Sequence, residues 1–160
     1  MSRIEARLAE LELSLPEPLV LPSRNRTSGV VVKDMLYLSG HGAALLEDDS
    51  VMHRGKLGAE VSLDEGYRTA RALALKMLAT ARHHIGDLDR VTRVVKILGM
   101  INSVPEFEHH NKVLDGASDL LHAVFGDRVG CHGRSSVGVA GLVANQPVEI
   151  EGIFHLTTEA

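Results

Sequence analysis

From Val91 to Ile101 the chain is rich in β-branched residues and too apolar for a surface loop, and it lies between two stretches with helical periodicity. A buried strand must be covered, and the helices on either side are the covers at hand, so this segment restricts the fold to layers of helix on sheet. The first helix opens at Ser62-Leu63-Asp64-Glu65, where the serine can accept from the Glu65 N–H while the glutamate reaches back to the serine amide. Its apolar residues Tyr67, Ala70, Ala74, Met77, Leu78 and Ala81 share one face, and Gly86 is placed to end it. The second helix is read from Pro105 in its first turn, with Phe107, Val113, Leu114, Leu120, Leu121 and Val124 as its apolar face and Gly126 as its stop.

Strand patterns flank these helices. Gly29–Val32 and Met35–Gly40 surround Lys33-Asp34 as a two-residue hairpin, and 41–58 reads as a loop with Glu47-Asp48-Asp49-Ser50 at its tip. Two more strands, Arg134–Leu142 and Val148–Leu156, close the chain around Ala144-Asn145-Gln146-Pro147. Residues 1–20 form a helical extension, with Ile4, Leu8, Leu11 and Leu15 at helical spacing before Pro16 and Pro18, and 21–160 form the domain proper. The order ββαβαββ predicts an α+β fold, a mixed sheet with both helices on one face. The other face then calls for another subunit, and a homo-oligomer is expected.

Arg134 stands in one of the two final apolar strands, and Glu149 and Glu151 alternate in the other. A guanidinium offers a planar fork of donors matched to carboxylate, and in an apolar segment it is costly unless paired. From spacing alone an ion pair with Glu149 or Glu151 on a neighbouring strand explains it. Because Glu149 and Glu151 share a strand face, either can be the more buried acid.

Composition excludes several classes. A formal charge of -4 without a basic stripe, with three Phe, two Tyr and no Trp, disfavours nucleic acid as a partner. A single cysteine, Cys131, rules out an internal disulfide framework and fits a reducing compartment, with the thiol read as small and partly buried. The charged Ser2–Glu12 segment lacks a signal-peptide core and no stretch is apolar enough to span a bilayer, so the expected location is cytoplasmic, away from membranes. His83-His84 and His109-His110 point about 100° apart on a helix and lack a metal-ligand motif; they read as surface residues, and no metal is expected.

The chain resembles the RidA/YjgF family, reactive imine and enamine deaminases that also carry the label L-PSP endoribonuclease. The resemblance runs from about Leu21 to Leu156. It rests on Leu38-Ser39-Gly40, on the Phe107 to Asn111 spacing, on Arg134-Ser135-Ser136-Val137, and on Val148-Glu149-Ile150-Glu151. Leu63-Asp64-Glu65-Gly66-Tyr67, Gly86-Asp87-Leu88-Asp89-Arg90-Val91 and Gly116-Ala117-Ser118-Asp119-Leu120 resemble a longer branch of the family.

The resemblance implies a chorismate mutase-like fold and a ring-shaped homotrimer with ligand clefts between subunits. It gives Arg134 the role of holding a substrate carboxylate, helped by backbone near Gly40, Ser39 and Ser136. Glu149 orients the attacking water, and Asn111 is a polar cleft residue. The implied reaction is hydrolysis of a 2-imino acid or its enamine tautomer to a 2-oxo acid and ammonia, with no cofactor. Two positions depart from the shorter deaminases: Arg26 replaces a tyrosine, and Ser136 a cysteine. A second arginine favours a dianionic ligand, which leaves a non-catalytic carboxylate-binding trimer as the alternative and an endoribonuclease as the third reading.

Overall fold

The computed structural model describes residues 2–21, 23–48 and 50–157. Its elements are α1 (Arg3–Glu10), β1 (Gly29–Val32), β2 (Met35–Gly42), α2 (Leu63–Ile85), β3 (Val91–Asn102), α3 (His110–Gly130), β4 (Gly133–Val139) and β5 (Val148–Leu156), with short 3-10 turns between some of them. The five strands form one mixed sheet in the order β1-β2-β5-β3-β4. Only β3 and β4 run parallel; the other neighbours are antiparallel.

Helices α2 and α3 cover one face of the sheet. Leu36, Ile97, Ile101, Ile150 and Phe154 point into the layer beneath them, where Leu73, Met77, Leu78, Leu114, Leu120 and Leu121 are all fully buried. Each such side chain contributes on the order of 2 kcal/mol by leaving water. The opposite face carries alternating residues such as Tyr37, Leu98, Met100, Glu149 and Glu151, and among the described residues no helix packs over it. The α+β architecture with both helices on one face is therefore as expected, and the β1–β2 hairpin turns at Lys33-Asp34 as read.

The Ser62 capping box forms with both of its bonds, and Gly86 caps α2 in the left-handed region at φ 81°. The other two helices differ from expectation. The first ends at Glu10 rather than continuing to Leu15, because Glu12 takes φ 54° while Leu13 N–H bonds the Leu8 carbonyl at 2.9 Å and Glu12 N–H that of Ala9 at 3.0 Å. This is a Schellman closure without the glycine that signals one. The helix docks on the body: Ile4 and Leu8 join the core, and the Asp89 carboxylate accepts from the N–H groups of Arg3 and Ile4, both at 2.8 Å.

The helix expected from Pro105 begins at His110 instead. Residues 103–104 are held extended by pairing with the loop at Leu57, including Val104 N–H to the Leu57 carbonyl at 3.0 Å, and Pro105 sits in the turn that follows. Gly126 does break α3, at φ 76° and ψ 177°, but a further turn continues to Gly130. β4 stops at Val139, short of Leu142.

Candidate functional site

The candidate residues divide into two groups, placed by different elements. The first is built around a bulge in β2. Leu38 pairs with Gly152 and His41 with Ile150, so Ser39 and Gly40 together oppose Glu151 alone. An extra residue of this kind bends a strand and re-aims its neighbours. Ser39 is tied to the preceding segment, its N–H donating to the Ser28 carbonyl at 3.0 Å and its hydroxyl to that of Thr27 at 2.6 Å. Arg26 stands just before that segment, exposed and without a hydrogen bond or ion pair to any described residue.

Beneath the bulge lies a histidine that the sequence reading had no reason to single out. His41 is fully buried, its Nδ1 donating to the Ser39 carbonyl at 2.7 Å and its Nε2 meeting the Thr80 hydroxyl at 2.9 Å. The same hydroxyl accepts from Leu19 N–H at 2.9 Å, so the N-terminal segment, α2 and the bulge share one polar link. Burial pushes the His41 pKa down to about 4, with the nearby Lys76 cation adding to the effect and the Ser39 carbonyl opposing it. The ring is therefore neutral, and the one Thr80 hydroxyl proton is shared between Nε2 and the Lys76 carbonyl, which lies 3.1 Å from the same oxygen.

Glu149 completes this group. Its side chain crosses the bulge so closely that a Cβ on Gly40 would lie 2.0 Å from Oε1, and the Gln146 amide donates to Oε2 at 2.9 Å. Half-burial raises its pKa; the Gln146 bond lowers it and the Glu151 charge raises it further. Of the two acids on this strand face, Glu149 is the more buried.

The second group lies between β4 and α3. Arg134 donates from Nη2 to Asp115 Oδ1 at 2.6 Å and from Nη1 to the Ser118 hydroxyl at 3.0 Å. Ser118 in turn meets His132 Nε2 at 3.1 Å, and His132 Nδ1 donates to the Gly130 carbonyl. Burial lowers the His132 pKa, the Gly130 carbonyl opposes this and the Arg134 charge adds to it. These residues border an open groove of about 400 Å³. Ser136 lies two residues along β4 on the same face as Arg134, and Asn111 precedes Asp115 and Ser118 on one helical stripe at i, i+4 and i+7.

Two sequence expectations are corrected here. Arg134 does not pair with Glu149 or Glu151, because β3 runs between β4 and β5; its partner is Asp115 on α3. Cys131 is exposed rather than partly buried, since His132 takes the inward position after α3. Among the described residues no group of three or more His, Cys, Asp or Glu is arranged to hold a metal, and no helix is long and apolar enough to cross a membrane.

A mixed sheet of this order, with the Ser-Gly bulge and the arginine strand in these places, defines a protein class. The chain belongs to the RidA/YjgF family: residues 5–146 match the family described as YjgF/chorismate mutase-like, putative endoribonuclease. Among individual proteins, it is 39% identical over 154 residues to Protein TCP17 of Trypanosoma cruzi, covering 96% of this chain and 94% of that one. The solved structure of Atu1372 from Agrobacterium tumefaciens, a protein of unknown function, is 34% identical with TM-score 0.84, covering 96% of this chain and 94% of the other. A Shewanella oneidensis structure carrying the endoribonuclease description is 29% identical with TM-score 0.87, covering 97% and 100%.

Proposed function

We propose that this protein is a deaminase of reactive 2-imino and enamino acids, and that its site forms between copies of the chain in a homotrimer. In that site the β4–α3 group of one subunit meets the β2–β5 group of the next. The observation that carries this reading is the division of the candidate residues. Arg134 registers with Ile97 on the helix-covered face, while Glu149 registers with Met100 on the open face. Two strand spacings of roughly 4.8 Å and the sheet itself separate them, so one small ligand cannot touch both within a single chain.

The chemistry follows from the groups. The guanidinium of Arg134, oriented by Asp115 and Ser118, binds the substrate carboxylate with its remaining donors. Ser136 and Asn111 flank it, and the Ser39-Gly40 backbone lines the other wall. Water adds to the imine carbon as Glu149 accepts one of its protons and returns it to nitrogen, giving the carbinolamine; the hydroxyl proton then passes by way of Glu149 to the same nitrogen as the C–N bond breaks, and ammonia leaves behind the 2-oxo acid. A carboxylate whose proton affinity is raised by burial suits both halves of that relay.

The test is to generate 2-iminobutanoate or 2-aminoacrylate enzymatically and follow 2-oxo acid release with the protein and with Arg134→Ala. Acceleration of roughly 100-fold that the substitution removes is expected; no acceleration, or one that survives it, refutes the reading. A second reading, carboxylate binding without turnover, is favoured by one observation: Arg26 is exposed next to the Ser39 segment and has no hydrogen-bond or ion-pair partner among the described residues. Thermal shifts with 2-oxo acids and dicarboxylates, in the absence of turnover, distinguish it.

A further inference from the structure

Gln146 lies in the turn before β5 and carries no sequence mark of importance, yet it is only 4% exposed and fixed at every polar atom. Ala44 N–H donates to its Oε1 at 3.0 Å, so that end of the amide is the oxygen and the nitrogen must face the other way. That nitrogen donates to Glu149 Oε2. The main chain is held as well: the Gln146 carbonyl accepts from the buried Asn102 amide at 3.1 Å, and Asn102 N–H donates to the Pro147 carbonyl at 2.9 Å. Strand β2 is cut away to fit. A Cβ on Gly42 would lie 2.2 Å from both atoms of the Gln146 amide, just as one on Gly40 would meet Glu149 Oε1.

We propose that Gln146 is the positioning residue for Glu149: it holds Oε2 and leaves Oε1, above Gly40, as the oxygen that exchanges a proton with water. The proposal rests on the deaminase reading of Glu149. A terminal carboxylate torsion is broad and two-fold, and the Glu149 carboxylate makes no other hydrogen bond among the described residues. Without the amide, either oxygen would face the ligand and the group would turn freely. The amide donor also favours the ionised carboxylate and opposes the effect of burial. Among the described residues, Glu151 on the same strand is the charged neighbour that acts on Glu149; β2 offers Ser39, Gly40 and Gly42 and β3 offers Met100.

A merely structural Gln146 would tie the Ala44 turn to β5 and nothing more. Gln146→Glu separates the two roles, because it keeps an acceptor for Ala44 N–H and replaces the donor that faces Glu149. Gln146→Leu removes both and serves if the first variant does not fold. The side-chain carboxyl carbon of Glu149, assigned with Glu149→Gln, is titrated by NMR in each protein, alongside the pH profile of 2-oxo acid release. Expected in both variants is a Glu149 midpoint higher by about one pH unit, with the acid limb of kcat/KM moving by the same amount and KM changing less than about threefold. An unmoved midpoint and profile, with only a lower Tm, overturns the positioning role while leaving the deaminase reading intact. A wild-type protein that does not accelerate imine hydrolysis overturns the catalytic role of Glu149, and with it this proposal.

Discussion

Arg134 and Glu149 lie on opposite faces of the same sheet, with β3 running between their strands. Each is supported locally: Arg134 by Asp115 and Ser118, Glu149 by Gln146. Each also borders a surface that the described residues leave uncovered.

The contact between Gly40 and Glu149 predicts a separation of activity from stability. In Gly40→Ala the new methyl group occupies the place of Oε1, but the obstacle is the end of a flexible side chain that can swing aside. The melting temperature is expected to fall by no more than roughly 4 °C, while the deaminase rate drops about 100-fold because Glu149 no longer reaches the ligand. Thermal melts and rates on one preparation check this; a rate within twofold of wild type contradicts it.

His41 predicts a loss of stability on acidification. Its folded pKa of about 4 lies below the usual 6.5, so as pH falls the unfolded chain takes up the proton first. The stability it contributes is complete above about pH 6.5 and is lost as pH falls toward 4. Between pH 7 and 5 that amounts to about 2 kcal/mol. Urea unfolding at the two pH values should show His41→Gln less stable at pH 7 but less sensitive to acid than wild type by about that difference; equal sensitivity in the two proteins would exclude His41 as the cause.

Glu149 has the opposite sign. Its raised pKa means the folded state holds the proton more tightly, so ionising it costs stability as pH rises through the folded value, and nothing is at stake below the usual glutamate range. Glu149→Gln should therefore melt a few degrees higher than wild type at pH 7.5, the gap closing by about pH 4, while deaminase activity is lost. A variant that melts lower at pH 7.5 than wild type contradicts the desolvation account.

What could be read in advance was local. The Ser62-Glu65 capping box, the Gly86 stop, the β1–β2 turn and the β-branched run of β3 each specify their own conformation within a few residues. Long-range pairing was not legible: nothing in the Arg134 and Glu149 segments says that β3 will insert between them, and the ion pair suggested by their spacing alone gave way to Asp115, one turn N-terminal to Ser118 on α3. Gln146 and His41 were illegible for a related reason. A glutamine beside a proline reads as a loop residue until its neighbours on β2 are seen to be the two glycines that admit it and Glu149.

The division of the site between copies is tested most directly by mixing subunits. Arg134→Ala and Glu149→Gln chains, each inactive alone, are co-expressed with different tags, and mixed assemblies are purified and assayed for 2-oxo acid release. A trimer that holds both chain types has one of its three sites between subunits built from an intact arginine and an intact glutamate, so about a third of the wild-type rate should return. A mixed assembly no faster than either variant by itself, beside an active wild type, would show that Arg134 and Glu149 do not act in one shared site.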